Sequence, residues 1–448
     1  MSPYPSVVNA TVEAGSVSIV SDANATIVAE TDSAMQAAGG GFFNTGGTMA
    51  AQGVIVTNNL RGAAEATISG SSVTTDAGDV SVSAKNRTSL TADNSSLLKS
   101  GDTAVGVNLA YNTVGYEPAD LATATLDLLI GVTSGAKDAA VAEATITNTT
   151  VSASGGILVD AANEMELDSS MSNESLSEAS GFTGASGQAA SAIFVSNIVA
   201  GGAVARIQSA TNQAVSAGGA VNVRAKQGGT LNSSVVAVAA SETDNTNAFS
   251  ASDSIAVGLT IARNDLEGEA TAEVDGVDLT GATVTVHASQ AATVTAVAAS
   301  EMESSGGNTF GGGTSLAAGG IVAANTVRGS ADAEIKDSSV VTTAGPLLVH
   351  ADNSVNISAT NRNQLSSGNQ AAGFVGAFNT LGYESQNVLY ASLDAVLGTQ
   401  IGNVDRASAN AFITDSDVDA TGDVTVEAVN SANLTSEVSN AATGEASG

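Results

Sequence analysis

The chain contains few of the residues that compact cores and many cofactor sites require. It has no cysteine and no tryptophan, aromatic residues make up 3%, and there are 4 prolines in 448 residues. Without thiolates it has no disulfide and none of the zinc or iron–sulfur sites that depend on cysteine. With so few large side chains it cannot build a thick core, because each buried aromatic or leucine supplies area that alanine does not.

Basic residues are also scarce. There are 13 Lys and Arg against 45 Asp and Glu, which gives a formal net charge of −32. Nucleic acid is excluded as a partner, since phosphate binding requires clustered basic residues. Binding to acidic phospholipids is disfavoured for the same reason. An acidic surface suits a cation-rich exterior, where salt screens self-repulsion.

Long apolar runs are missing as well. No run reaches the length of a transmembrane helix, so we expect no membrane insertion. The first residues, MSPYPSVVNATV, lack the basic and long apolar regions of a signal peptide. What is abundant is alanine, valine and threonine, and the last two favour β-strands.

The whole chain repeats. Sliding the sequence by 267 positions aligns residues 1–181 with 268–448 without a gap, and more than a third of the aligned positions are identical. Self-similarity at a fixed period is the signature of a repeat architecture. We therefore expect residues 1–448 to form one continuous array in which 182–267 complete the first unit. Both ends fall inside a copy, which predicts that the chain is a piece of a longer protein.

A shorter pattern recurs inside that unit. It reads A-x-A-x-I, then polar residues, then V-x-x-x-G-x-V-x-V-x-A. Its anchoring apolar residues have spacings of 78, 61, 67, 61 and 78: Ile68, Ile146, Ile207, Val274, Ile335 and Ile413. The long unit therefore contains four variants of one sub-repeat. Each V-x-V-x-A stretch alternates as a half-buried strand does, which predicts that Val80, Val82 and Ala84 face inward.

One strand per turn, small inward side chains and glycine at the corners predict an all-β fold, a parallel β-helix or β-solenoid. If a coil takes roughly 20 residues, each sub-repeat forms about three coils and the long unit about thirteen. At ~4.8 Å per coil the unit would rise on the order of 60 Å. The predicted molecule is a slender rod with a thin core.

Two sub-repeats are longer than the others, and both contain the string N-T-x-G-Y-E, at residues 112–117 and 379–384. The extra residues follow this string and place apolar side chains at helical spacing. Pro118 suits the first position of a helix, and a glycine follows each segment. We therefore predict short amphipathic helices at 118–130 and 385–397, with a wide outward-looping coil as the alternative.

The two histidines, His287 and His350, lie in the equivalent stretches VTVHA and LLVHA. Strand alternation directs both side chains outward. Neither lies near a candidate nucleophile in the sequence, so a Ser–His–Asp arrangement has no support. We expect no catalytic residue and no enzyme activity.

The densest carboxylate cluster is TDSDVDATGD, with Asp415, Asp417, Asp419 and Asp423. Right-handed β-helices include polysaccharide lyases and hydrolases, which need clustered carboxylates to bind Ca²⁺ or protonate a glycosidic oxygen. The equivalent stretch of the other copy has none of the four, and no G-G-x-G-x-D calcium-binding repeat is present. We interpret the cluster as a solvated edge, with a weak Ca²⁺ site as the alternative. No other cofactor is expected.

Two glycine-rich stretches, at 39–47 and 306–313, lack the G-x-x-x-x-G-K-[ST] sequence of a phosphate loop. Turns or a packing surface are predicted instead. N-x-[ST] sites such as those at Asn9 and Asn148 are expected by chance in a chain so rich in these residues.

The stretch GVIVTNNLRGAAEATISGSSVTTDAGDVSVSAKN resembles repeats of very large secreted proteins of Gram-negative bacteria, the filamentous-haemagglutinin-like and leukotoxin-type filamentous adhesins. The resemblance extends over the whole chain through degenerate motifs. It implies a parallel β-helix exported to the cell surface by two-partner or type I secretion, serving as a fibre, stalk or adhesin. A secretion domain, a carbohydrate-binding module and a toxin tip are not recognised within these residues.

Three functions are consistent with the sequence. The leading hypothesis is a non-enzymatic structural segment of an extracellular or cell-surface filament or giant adhesin, whose partner is a copy of itself through end-to-end or lateral contacts. The second is a glycan- or surface-binding adhesin module, with surface glycans or divalent cations as partners. The third is a β-helix polysaccharide lyase or hydrolase. The long-range regularity and the acidic surface favour the first.

Overall fold

The computed structural model describes residues 3–37, 47–116, 136–181, 185–245, 251–306, 312–383 and 404–444. Within these residues the chain is all-β and contains no helix. Every ladder between named strands is parallel, and the two antiparallel contacts are single bridges, Tyr116 to Lys137 and Tyr383 to Val404. The predicted helices at 118–130 and 385–397 lie outside the described residues.

The strands form two sheets. The 7-stranded sheet, called here the long-strand sheet, consists of β3 (Val17–Ala37), β7 (Val80–Ser100), β11 (Ile157–Gly181), β13 (Val221–Asn245), β15 (Val284–Ser305), β18 (Leu347–Ser367) and β22 (Val424–Gly444). The 15-stranded sheet, called the divided sheet, consists of β1 (Ser6–Val8), β2 (Thr11–Ala14), β4 (Met49–Leu60), β5 (Ala64–Ser69), β6 (Ser72–Thr75), β8 (Thr103–Val114), β9 (Ala140–Thr147), β10 (Thr150–Ala153), β12 (Ala185–Ala217), β14 (Ser252–Gly281), β16 (Ser315–Lys336), β17 (Ser339–Thr342), β19 (Gln370–Leu381), β20 (Ser408–Thr414) and β21 (Asp417–Ala420).

The chain passes through the divided sheet and then the long-strand sheet, and repeats this path. We call one such passage a layer and number the layers 1 to 7: residues 6–37, 49–100, 103–181, 185–245, 252–305, 315–367 and 370–444. Layer 1 contains only the end of the divided-sheet path, β1 and β2. Each layer pairs with the next in the same order as the sub-repeats follow one another.

The anchor residues of the sub-repeats stack directly on one another. Ile68 pairs with Ile146, Ile146 with Ile207, and the column continues through Val274, Ile335 and Ile413. A sub-repeat therefore forms a single layer, and the prediction of roughly 20-residue coils is wrong. The long strands alone have 21 to 25 residues.

This larger layer changes the predicted dimensions. The 267-residue unit spans four layers, which rise about 19 Å at ~4.8 Å per layer, against the 60 Å expected from short coils. At ~3.3 Å per residue a long strand extends for about 70 Å. The described layers therefore form a stack that is wider than it is high.

Inward-facing small residues of the two sheets meet in a thin core. Val80, Val82 and Ala84 are 0% exposed, which confirms the inward positions predicted from strand alternation. They pack with Ala66 and Ile68 of the divided sheet. Each layer buries its inward side chains against those of the next layer. A core of alanine and valine therefore suffices where a globule would need larger side chains.

Each layer turns one corner with a residue in the left-handed region. The seven corner residues have φ between 48° and 63° and are all Gly, Asn or Asp: Asn9, Gly70, Asn148, Asn212, Gly276, Asp337 and Asp415. These are the residue types that tolerate this conformation. Sequence and backbone therefore agree at every corner.

We predict that Gly276→Ala destabilises the stack. Gly276 has φ of +63°, and a Cβ there would lie 2.2 Å from the backbone oxygen of Ser209. We expect a loss of about 1–3 kcal/mol of unfolding free energy in a denaturant titration. Gly53→Ala is the matched control, because its Cβ would meet nothing closer than Val107 O at 3.8 Å. Equal effects of the two substitutions would contradict the predicted strain.

Candidate functional site

A ladder of asparagine side chains runs through the interior of the stack. Six asparagines of the divided sheet occupy the same register position in layers 2 to 7: Asn58, Asn112, Asn197, Asn264, Asn325 and Asn379. The Nδ2 of each donates to the Oδ1 of the next, at distances of 2.9, 3.0, 2.9, 2.9 and 3.0 Å. Asn112 and Asn379 are the asparagines of the two N-T-x-G-Y-E strings.

The same asparagines also join the two sheets. Asn197 Nδ2 lies 2.7 Å from the carbonyl oxygen of Asn232 on the long-strand sheet, and Asn264 Nδ2 lies 2.8 Å from that of Thr295. Both ladder residues are 0% exposed. A buried amide is stable only when its groups are hydrogen-bonded, so each ladder side chain requires both its neighbouring layers and the facing sheet.

A second amide ladder lies on the long-strand sheet. Asn86 Nδ2 donates to Asn163 Oδ1 at 3.1 Å, and Asn163 Nδ2 donates to Gln227 Oε1 at 2.9 Å. The same register position holds Gln290, Asn353 and Asn430 in the later layers. Asn163 also bonds the carbonyl oxygen of Ala140 at 2.7 Å. Together the two ladders divide the apolar core into three segments.

Buried charges form a cluster on the outer side of the divided sheet. Asp265 is 1% exposed and lies 3.2 Å from Arg263 and 3.3 Å from Arg328. Arg328 also lies 3.5 Å from Glu267, which pairs in turn with Lys137. These residues come from layers 3, 5 and 6, so the cluster links layers across the stack. Opposite charges compensate one another here, which is typical of a structural ion network.

Two groups in this cluster have shifted pKa values. Burial, together with the charges of Asp265 and Glu267, raises the pKa of Tyr116. Burial works to lower the pKa of Arg328, but the same two carboxylates outweigh it and raise that pKa. Both shifts keep the groups in the protonated form, which supports a structural role for them.

The histidines lie on the outward face of the long-strand sheet, as predicted. His287 and His350 pair across β15 and β18, with ring centroids 5.0 Å apart and Glu427 Oε2 3.4 Å from His350 Nδ1. Burial lowers the pKa of His287, and the charges of His350 and Arg224 lower it further. The pair is therefore a stacked column of strand residues.

The predicted carboxylate cluster is spread along an exposed edge. Asp415, Asp417, Asp419 and Asp423 are all exposed in layer 7. In the described part of the chain, no group of three or more His, Asp or Glu side chains is placed to hold a metal ion. The Ca²⁺ alternative gains no support from this arrangement.

Other sequence features fall in turns or outside the described residues. Of the glycine-rich stretches, 39–46 and 307–311 lie outside them. The N-x-[ST] residues Asn9 and Asn148 occupy left-handed corners.

An open groove of about 770 Å³ crosses the outward face of the long-strand sheet. Its floor includes Gly228 and Ala291, and hydroxyl side chains such as Thr230 and Thr293 line it. At one end Lys226 Nζ lies 2.7 Å from Glu164. The groove presents hydroxyl and charged groups without an aromatic ring.

The ladders were missed by the sequence analysis, although a signal exists. The strings TNNL, YNTV, SNIV, RNDL, ANTV and FNTL, which contain the six asparagines, recur once in each of six sub-repeats. An asparagine two residues before an inward apolar residue occurs in all six. Strand alternation then predicts that this polar side chain faces the core.

Comparisons with known proteins assign no family to the chain, since no family model, curated protein or solved structure matches it. A search of the described residues finds no helix long and apolar enough to cross a membrane.

We predict that Asn197→Leu destabilises the protein much more than Asn379→Leu. Asn197 is buried and bonds both neighbouring ladder residues, so its loss deprives Asn112 and Asn264 of one ladder partner each. We expect a loss of about 3 kcal/mol or more for Asn197→Leu and about 1 kcal/mol for Asn379→Leu, which bonds one ladder neighbour at the end of the stack. Denaturant titration measures both. Similar losses would show that the ladder contributes little.

Proposed function

We propose that the chain is a non-enzymatic structural segment of an extracellular or cell-surface filament or giant adhesin, built as a parallel β-helix (β-solenoid). The observation that supports this proposal is the in-register stacking of the seven layers, with the asparagine ladder hydrogen-bonded from layer 2 to layer 7. Such a stack can lengthen only along its own axis, because each layer pairs with the layers before and after it.

In the described part of the chain, the strand at each end of the long-strand sheet also has one edge without a partner. Among the described strands, β22 pairs only with β18, and β3 pairs only with β7. Unpaired edges of a parallel sheet template further strands. End-to-end contact between copies, or continuation within a longer chain, uses these edges.

Charge and resemblance support an exterior location. The formal net charge of −32 favours surroundings where cations screen repulsion. The resemblance to filamentous adhesin repeats points to a bacterial cell surface. Lateral contacts between fibres through the segments at 118–130 and 385–397 belong to the same proposal.

The groove across the long-strand sheet favours a second candidate, a glycan-binding adhesin module. Hydroxyl and charged groups around Thr230 and Lys226 offer hydrogen-bond partners to a sugar. A glycan array discriminates between the two candidates. Saturable binding by the intact chain would favour the adhesin module, and no binding is expected from a purely structural segment.

We predict that a chain lengthened by one 267-residue unit, with residues 182–448 repeated after Gly448, gains about 19 Å in one dimension. Its other dimensions should stay unchanged, because four further layers of ~4.8 Å are added. Electron microscopy of the two chains measures this. A control that repeats only residues 221–448 lacks the divided-sheet half of its first layer and should not extend the stack regularly. A separate globule in the lengthened chain would contradict the proposal.

A further inference from the structure

The end of the stack at layer 7 exposes apolar side chains that are buried elsewhere. Val424, Val426, Leu434 and Val438 of β22 are 49%, 47%, 45% and 51% exposed. Their counterparts 267 residues earlier are 1%, 0%, 0% and 1% exposed: Ile157, Val159, Leu167 and Met171. The same positions of the repeat are thus covered in layer 3 and open in layer 7.

The cover of layer 3 is layer 4, residues 185–245. β13 pairs with β11 from Ile157 opposite Val221 onward, and β12 pairs with β8, β9 and β10. This is the one kind of layer that occurs once in the chain, since residues 182–267 have no second copy. By equivalence with layer 3, the layer that would cover layer 7 has the sequence of layer 4.

The asparagine ladder is open at the same end. Asn112 Nδ2 donates to Asp168 O at 2.8 Å, to Ser169 Oγ at 2.9 Å and onward to Asn197 Oδ1 at 3.0 Å. Asn379 Nδ2 repeats the first two bonds, to Thr435 O at 2.6 Å and Ser436 Oγ at 3.0 Å. Neither an onward acceptor for Asn379 nor a layer beyond layer 7 is found among the described residues.

The second ladder ends in the same way. Asn430 Nδ2 bonds Ala407 O at 3.1 Å, as Asn163 Nδ2 bonds Ala140 O at 2.7 Å. Asn163 continues to Gln227 of layer 4. Layer 7 thus keeps both ladder donors in the geometry that layer 3 uses to hold layer 4.

We propose that the layer 7 surface is a docking surface for one further layer with the sequence of residues 185–245, in the register in which layer 4 covers layer 3. This inference rests on the proposed stacking function and specifies the partner. Charge agrees with it: Asp160 pairs in register with Arg224, and the counterpart of Asp160 is Glu427. An incoming Arg224 would lie opposite a carboxylate in both cases.

Layer 1 of a second copy is a poorer partner for this surface. By the same register, β3 would place Ala23 over Asn430 and Val20 over Glu427, so it offers neither the amide nor the cation. Layer 1 also has no strand before β1 among its described residues, so nothing would meet Asn379. Direct stacking of two copies therefore leaves both ladders broken.

Cross-linking tests the docking register. The chain has no cysteine, so a single introduced thiol is unique. The probe is a synthetic peptide of residues 221–245 with Asn222→Cys, and the full chain carries Thr425→Cys. Leu158, the counterpart of Thr425, pairs with Asn222, and strands ~4.8 Å apart allow a disulfide. We expect at least tenfold more cross-linked product than with a shuffled peptide that keeps the cysteine at the same position.

Two further substitutions, each added to the Thr425→Cys chain, identify the surface. Leu434→Glu lies in the exposed edge opposite the incoming Leu231 and should reduce cross-linking at least tenfold. Ile27→Glu, in the same column at the other end of the stack, should leave it unchanged. Circular dichroism checks that both variants stay folded.

The inference is overturned if the shuffled peptide reacts equally well or if the in-register peptide does not react. It is also overturned if the Thr425→Cys chain reacts more readily with a chain carrying Ser18→Cys, which would show that layer 1 of a second copy docks there. That last result would leave the stacking function intact. A failure of the stacking function would appear separately, as a lengthened chain that does not extend in electron microscopy.

Discussion

Each layer pairs with the next in a single register, and the rest of the structure depends on that register. Side chains alternate along a strand, so a slip of one residue would move Asn112 and Asn163 out of the core and bring outward residues in. The amide ladders oppose such a slip, because it would break buried hydrogen bonds between layers, such as those from Asn112 to Asn197 and from Asn163 to Gln227. Apolar pairing alone would tolerate a slip of two residues, since valine and alanine follow one another at alternate positions.

The thin core follows from the same arrangement. Alanine and valine bury little area each, but inward residues of the inner layers are covered by the facing sheet and by two neighbouring layers. Stability then accumulates with the number of layer contacts. Layers inside the stack gain on both faces, whereas β22 gains on one, and its apolar residues stay exposed. The end layers of such a stack therefore contribute the least burial free energy per residue.

Part of this could be predicted from the sequence. Each sub-repeat in the sequence corresponds to one layer, and the predicted anchor residues, Ile68 through Ile413, form one stacked column. The length of the layer was not predicted, because Asn86 and Thr88 interrupt the apolar alternation after Ala84. In the structure β7 continues to Ser100, with Asn86 and Asn94 facing inward. Polar residues in a sequence are typical of turns, and only the structure, in which Asn86 bonds Asn163 of the next layer, shows that this residue belongs to the core.

The ladder also gives the stack a direction. Along all five bonds the Nδ2 of one layer donates to the Oδ1 of the following layer. One end of the ladder, at Asn379, therefore offers a donor, and the other end, at Asn58, offers an acceptor. Two like ends cannot satisfy each other, so a contact between the ends of two stacks would have to be heterologous. Parallel strands and the directional asparagine column both exclude a two-fold axis across the end of the stack, so a symmetric contact between two like ends would leave the ladder unsatisfied.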